Sequence, residues 1–293
     1  MSRGAAPDTP HAQAGGTVAV ISDRLGWEER QLLRQLPTVG LQGQWLNDES
    51  LCLGITGITL PGITAAVIRS RSYTRGRMIA TLLHDKHIPT LNSPQAIQKC
   101  ENKLDLLLEL SRAGLPVSDC RLVLSRKDLH RACDELGLPF VVKPLYGGRG
   151  RRVLLLRDRD LVDATYDCIE DLAHGFEQAC LAEPFLEGAP LRILVVGDRP
   201  LAAVHFSPSP TDWRSNAATG GTPALHHDPG ITDLAKRVVG VLGPGIYGVD
   251  VIQTADGPVV GEVNHAPGYR ALSSVAPCDV TAAIAEHLQE MLS

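Results

Sequence analysis

Hydrophobic positions in this chain switch between two periods, and the switches mark its elements. From Thr17, TVAVIS is a β-branched apolar run that predicts a strand, and WEERQLLRQL after it repeats its apolar positions at helical spacing. Ala65 to Ile68 predicts a second strand, RGRMIATLLHDK a second amphipathic helix, and IPTLN a third, short strand. Residues 17–92 therefore read as a small α/β unit. The stretch GITGITLPGI, from Gly54 to Ile63, suits a strand or a loop equally.

From Ser93 the period becomes helical. SPQAIQKC carries Ser and Pro at cap and first-turn positions, and ENKLDLLLELSRAG ends on Gly114, a candidate C-cap. A strand at Cys120 to Leu124, a helix at Arg126 to Leu136 and the strand PFVVKP at 139–144 follow, then the Gly- and Arg-rich turn YGGRGRRVLLL and a helix over 161–173. The remainder is strand-rich: ACLAEPFL, LRILVVG and RPLAAVHF, a polar loop, a helix at 231–242, a hairpin at 247–263 and a closing helix at 279–292. The expected units are a disordered tail (1–16), an N-terminal α/β domain (17–92), a central unit (93–182) and a C-terminal unit (183–293).

Composition narrows the function classes. Of 293 residues, 44% are hydrophobic and 21% charged, which is globular, and the net charge of −5 opposes general nucleic-acid binding by counterion release. Seven Cys with no C-x-x-C pair indicate neither a disulfide framework nor a zinc site. No apolar run approaches the roughly 20 residues of a membrane span, and the first 16 residues lack the apolar stretch of a secretory signal. The expected location is cytoplasmic, with no membrane partner.

The most informative segment is GVDVIQTADGPVVGEVNHAPG, Gly248 to Gly268. Reading Ala255-Asp256-Gly257 as a three-residue hairpin connection pairs residue 254 with 258 and sets Asp250 opposite Glu262. Side chains alternate along a strand, so Glu262 and Asn264 share a face with Asp250. Two carboxylates and an amide oxygen on one face are hard ligands suited to Mg²⁺, although a solvated polar face would show the same pattern. Lys143 ends PFVVKP with Gly147, Gly148 and Gly150 just beyond. This is equally a phosphate-covering loop and a flexible hairpin with a snorkelling Lys. Lys103 opens a helix and by itself reads as a surface Lys. The polar segment TDWRSNAATGGTP places Arg214, Ser215 and Asn216 in a candidate anion-binding loop, and Arg192 stands in a strand where it suits a bidentate phosphate contact. The basic stretches 69–77 and 147–152 lack interleaved aromatics, which argues for a phosphate ligand or an acidic protein partner over nucleic acid. His265, beside Asn264, reads as a supporting residue.

Taken in order, SDRLGWEERQLL, RSRSYTRGR, NSPQAIQKCENKLDLLLELSRAGLPVSD, PFVVKPLYGGRGRRVLLL, LAEPFLEGAPLRILVVGDRPLAAV, DWRSNAATGGTP and GVDVIQTADGPVVGEVNHAPG resemble the ATP-grasp superfamily and, within it, the RimK/LysX group of carboxylate-amine ligases. The N-terminal segments look more like the LysX side of that group, and the Pro-Gly after Asn264 more like the RimK side. The resemblance implies an ATP-grasp fold in the α/β and α+β classes, with an N-terminal pre-ATP-grasp domain and ATP between two α+β subdomains. It implies that Lys103 and Lys143 hold phosphates under the loop containing Gly147, Gly148 and Gly150. Glu183, Pro184 and Phe185 would form the adenine hinge, and Arg214, Ser215 and Asn216 would reach the nucleotide. Asp250, Glu262 and Asn264 would hold Mg²⁺, with two ions expected, and Arg192, Arg214 and Lys143 would act at the transferring phosphoryl group. The sequence departs from the family at Pro190, where an Asp is common, and at Pro184, which lacks a backbone donor.

The implied activity is ATP-dependent amide formation through an acyl phosphate. The first expectation is an amino acid joined by its α-amino group to the terminal Glu of a small acidic LysW-type carrier, with the Arg-rich stretches steering that partner. The alternatives are a ligase for amino acids or peptides (including a RimK-type glutamate ligase) that uses no carrier, and a nucleotide-binding regulator without turnover. A homodimer or homotetramer is the expected assembly.

Overall fold

A computed structural model describes residues 15–56, 60–147, 152–172, 178–206 and 222–293. Three sheets organise them. The first is parallel and has four strands in the order β2-β1-β3-β4, formed by β1 (Thr17–Ser22), β2 (Gln42–Asn47), β3 (Ile63–Ile68) and β4 (Thr90–Leu91). Strand β1 is central and buried from Val18 onward, as a parallel strand covered on both faces must be. Helices α1 (Trp27–Gln35) and α2 (Tyr73–Asp85) complete the unit. The hydrophobic pattern does not announce β2, because QGQWLN is an edge strand with its first three residues exposed. In the ambiguous 54–63 stretch, no strand starts before Ile63 among the described residues.

The second sheet is antiparallel, in the order β5-β8-β6-β7. It contains β5 (Arg121–Val123), β6 (Phe140–Pro144), β7 (Leu154–Leu156) and β8 (Cys180–Pro184), with α5 (Arg126–Leu136) and α6 (Leu161–Glu170) on one face over Val123, Phe140, Val142 and Ala182.

The third sheet is the largest, in the order β11-β10-β9-β12-β13. Its strands are β9 (Ala189–Gly197), β10 (Arg199–Phe206), β11 (Pro223–His226), β12 (Gly245–Thr254) and β13 (Gly257–Asn264). One face lies under α3 (Pro94–Glu101), α4 (Lys103–Arg112) and α7 (Pro229–Leu242), where Ala96, Leu106 and Leu110 meet Ile193, Tyr247, Val249 and Val260. The sequence pattern groups residues 94–112 with the central unit, but Ala96, Cys100, Leu106 and Leu110 join this core and Ile97 joins that of the first unit. On the opposite face Leu194, Val196 and Ile246 join Val18, Val20 and Leu32 of the first unit and Ile284 and Leu288 of the closing helix, α9 (Val280–Leu292), which follows the short α8 (Arg270–Ser273). The first and third sheets therefore share one hydrophobic core.

The β12–β13 hairpin corrects one expectation and keeps another. Thr254 pairs with Gly257 across the two-residue turn Ala255-Asp256, not with Pro258 across three residues. The ladder then runs Gln253↔Pro258 to Val251↔Val260, shifts by one, and resumes at Asp250↔Glu262 and Gly248↔Asn264. Gly261 is the residue taken up by this bulge. An uninterrupted ladder would set Gly261 opposite Asp250 and turn Glu262 under the helices. The bulge re-aims Glu262 to the face of Asp250.

Leu288 is fully buried in the shared core, so Leu288→Ala is expected to cost about 2–5 kcal/mol. Urea-induced unfolding measures this, and a loss below about 1 kcal/mol would contradict the shared core.

Candidate active site

The face of the third sheet that packs on the first unit turns polar at one end, and that end carries the candidate chemistry. Arg192 on β9 stands opposite Asp250 on β12, which stands opposite Glu262 on β13, so one row across three strands presents a guanidinium and two carboxylates. Arg192 Nε donates to Asp250 Oδ1 at 2.6 Å and Nη2 donates to Oδ2 at 2.6 Å, a bidentate pair. The Asp250 carboxylate, ahead of a burial effect that works the other way, holds the Arg192 pKa above the usual guanidinium range. Asn264 Nδ2 donates to Asp250 Oδ2 at 3.2 Å. The structure thus brings Asp250, Glu262 and Asn264 together on one face.

Two lysines reach this row from other elements. Lys103 is the first residue of α4, capped by Asn102, whose Oδ1 accepts from Leu104 N at 3.0 Å. The Lys103 backbone N–H donates to Leu145 O at 3.0 Å, which ties the helix start to the end of β6. Its Nζ donates to Gly147 O at 2.6 Å and to Glu262 Oε1 at 3.3 Å. Lys103 is 5% exposed, so the surface reading suggested by sequence alone is corrected. Lys143, buried on β6, pairs with Glu183 Oε1 at 2.7 Å. Burial opposes its charge, but the Glu183 carboxylate, together with Cys120 and Glu262, holds its pKa above the ordinary lysine value. Glu262 acts electrostatically on both Lys143 and Arg192. Three cations and three carboxylates from six elements thus compensate one another in one cleft.

At the expected hinge, Pro184 closes β8 opposite Phe140, and the Phe185 N–H donates to Pro139 O at 3.2 Å. Pro184 has no N–H and that of Phe185 is engaged, so a base placed here meets carbonyl oxygens and side chains in place of these two donors. Pro190 pairs with Ile252 within the β9–β12 ladder. Gly148, Gly150, Arg214, Ser215 and Asn216 lie outside the described residues.

The donor set fits Mg²⁺. Among the described residues no group of three or more His, Cys, Asp and Glu is arranged to hold a metal. The row instead supplies two carboxylates and an amide, hard oxygen donors that leave positions for water and phosphate.

The basic stretch 69–77 does not form a free cationic surface. Arg69 pairs with Glu29 at 2.8 Å, Arg71 with Asp23, and Arg75 with Asp48 at 3.3 Å and Glu49 at 3.0 Å. Arg77 Nε lies 3.9 Å from Glu101. Sequence reasoning missed Glu101, which is buried 4.0 Å from His265. Burial, against the pull of Arg77, pushes the Glu101 carboxyl up to about 7, while burial and then Arg69 push His265 down to about 4. Burial and Arg69 both favour the uncharged form of the His265 ring. Asn92 and Arg69 were also missed, and both bond the backbone that follows Asn264.

No helix among the described residues is long and apolar enough to cross a membrane. Residues 18–99 match the LysX preATP-grasp domain and residues 100–288 the RimK-like ATP-grasp domain. Alpha-aminoadipate–LysW ligase LysX of Sulfurisphaera tokodaii is 26% identical over 289 residues, 94% of this chain and 99% of that protein. Glutamate–LysW ligase ArgX of the same organism is 25% identical over 232 residues, 78% of this chain and 82% of that protein. The crystal structure of a RimK domain ATP-grasp protein from Sphaerobacter thermophilus superposes with a TM-score of 0.78 at 27% identity, covering 93% of this chain and 99% of that one. The chain belongs to the RimK-like ATP-grasp family, with a LysX-type pre-ATP-grasp domain before it, and is one of that family's ADP-forming carboxylate-amine ligases.

Proposed function

We propose that this ligase joins the α-amino group of an amino acid to the terminal glutamate carboxylate of a small acidic LysW-type carrier protein. The observation that carries the chemistry is the convergence of Lys103, Lys143 and Arg192 on the Asp250–Glu262 row. The carrier assignment is supported by the two LysW ligases, one of which this chain matches along almost its whole length.

The reaction has two displacements. A carboxylate oxygen of the acceptor attacks the γ-phosphorus of ATP and ADP leaves, forming an acyl phosphate. The amine nitrogen then attacks the acyl carbon, loses a proton, and phosphate departs as the amide forms. Lys103 and Lys143 would leave their carboxylate partners for phosphate oxygens, supplying fixed positive charge where it is needed without reorganising solvent. Arg192 would keep Asp250 oriented and offer its remaining N–H groups to the acyl phosphate. Mg²⁺ held by Asp250, Glu262 and Asn264, with two ions expected, would neutralise charge on the transferring phosphoryl group. Glu183, Pro184 and Phe185 would border the adenine. Arg214, Ser215 and Asn216 would contact the nucleotide, with Arg214 also at the phosphoryl group, and Gly147, Gly148 and Gly150 would cover the phosphates. A homodimer or homotetramer is the proposed assembly.

Glu262→Gln is expected to lower ADP release by about 10²-fold or more, with the thermal midpoint close to wild type. Normal ADP release by this variant would contradict the site. ADP release measured across amino acids, with and without a carrier ending in Glu, is expected to require both. Release with amino acids alone would replace the carrier reading with a small-molecule ligase, and no release under any condition would favour a regulator.

A further inference from the structure

Asn264 is the last residue of β13, so its position depends on the backbone that follows it. Two side chains of the first sheet hold that backbone. Asn92 Nδ2 donates to His265 O at 2.8 Å, and Arg69 Nη2 donates to Pro267 O at 3.0 Å. The donors follow adjacent strands: Arg69 comes directly after β3 and Asn92 directly after β4, which pair through Ala66↔Thr90 and Val67↔Leu91. The spacing of neighbouring strand ends is thus matched to alternate carbonyls of the loop.

Asn92 does more than hold the loop. Its Oδ1 accepts from Ile246 N at 2.6 Å and its Nδ2 donates to Ile246 O at 2.8 Å. Ile246 lies two residues before Gly248, the last ladder partner of Asn264, so one amide closes the β12–β13 hairpin just beyond its final pair. Asn92 is 1% exposed and needs the space left at Gly245, where a Cβ would fall 2.5 Å from its Oδ1. The loop itself crosses Gly248, where a Cβ would come within 3.0 Å of the Pro267 Cβ. Arg69 is also buried, with its Nε on Glu29 Oε1 at 2.8 Å and its guanidinium 5.6 Å from the Tyr269 ring centroid. Glu29 in turn accepts from Gly26 N at 2.9 Å, so the anchor extends to the start of α1.

We infer that Asn92 and Arg69 are positioning residues for the metal-phosphate site: from the pre-ATP-grasp domain they fix the 265–267 backbone and thereby hold Asn264 in register with Asp250. This rests on Asp250, Glu262 and Asn264 being the metal ligands. Coordination demands donors placed to within about 0.5 Å, and a strand-end residue followed by an unanchored turn would not meet that demand. The loop keeps other anchors, because Tyr269 Oη donates to Glu28 O at 3.2 Å and Trp27 packs edge-on against Tyr269 with centroids 5.8 Å apart. Removing one donor therefore leaves the turn attached to the protein.

The test uses the full chain with Mn²⁺ and ADP as probes. Free Mn²⁺ is followed by electron paramagnetic resonance for Arg69→Gln, Asn92→Ser and Asn264→Ala, alongside metal-free ADP binding and thermal midpoints. The expected result is an Mn²⁺ dissociation constant raised about 10-fold or more in Arg69→Gln and Asn92→Ser, with metal-free ADP binding unchanged and both proteins folded. If Asn264→Ala alone weakens Mn²⁺ binding, the ligand assignment stands and the positioning role is overturned. If Asn264→Ala leaves Mn²⁺ binding unchanged, the ligand assignment itself fails and takes the inference with it. Unfolding of both Arg69→Gln and Asn92→Ser at the assay temperature also overturns the inference, since the residues then serve the fold alone.

Discussion

A half-buried carboxylate must be compensated, and in this protein that requirement falls on the Arg192–Asp250 pair. The two residues face each other on neighbouring strands and exchange two charge-assisted hydrogen bonds. Leaving either charge alone at this depth would be costly. The pair therefore fixes the row into which Glu262 is brought, and Glu262 in turn acts on Lys103 and Lys143 from the other elements. The register of β9, β12 and β13 and the bulge at Gly261 are the means by which the chain meets this constraint.

The same arrangement prepares the cleft for a polyanion. Lys103 is held by Glu262 and a backbone carbonyl, and Lys143 by Glu183. Each cation is thus positioned, desolvated and neutralised before any phosphate arrives. On the proposed function, binding of nucleotide with a divalent ion would be an exchange of partners within a preorganised set of charges, which is how electrostatic catalysis avoids reorganisation at the moment of reaction. The shared core of the first and third sheets joins the two units on the side where Arg69 and Asn92 meet the loop after Asn264.

Most of the regular elements were legible because their periodicity is local. Strand β1, helix α1 and the β12–β13 hairpin follow directly from apolar spacing, and the face shared by Asp250, Glu262 and Asn264 follows from strand alternation. The turn did not, since a two-residue connection with a bulge and a three-residue connection both set Asp250 opposite Glu262. Strand β2 was hidden by its polar, exposed edge sequence. Residues 94–112 show helices but not the sheet they cover, because their partners on the third sheet lie far along the chain, from Leu191 onward. Arg69 and Asn92 were illegible for the same reason: their backbone acceptors lie 198 and 173 residues away. Read by composition, RSRSYTRGR is a cationic surface. In the structure its arginines are met by Asp23, Glu29, Asp48 and Glu49 from other elements, with Glu101 near Arg77.

Thermal unfolding of Arg192→Gln, with and without Mg²⁺ and ADP, tests most directly whether Asp250 is a metal-binding carboxylate compensated and oriented by Arg192. The variant is expected to melt below wild type without ligand, because Asp250 is left uncompensated, and Mg²⁺ with ADP is expected to narrow the gap by restoring a positive charge beside it. Equal midpoints without ligand, or a gap unchanged by Mg²⁺ and ADP, would contradict it.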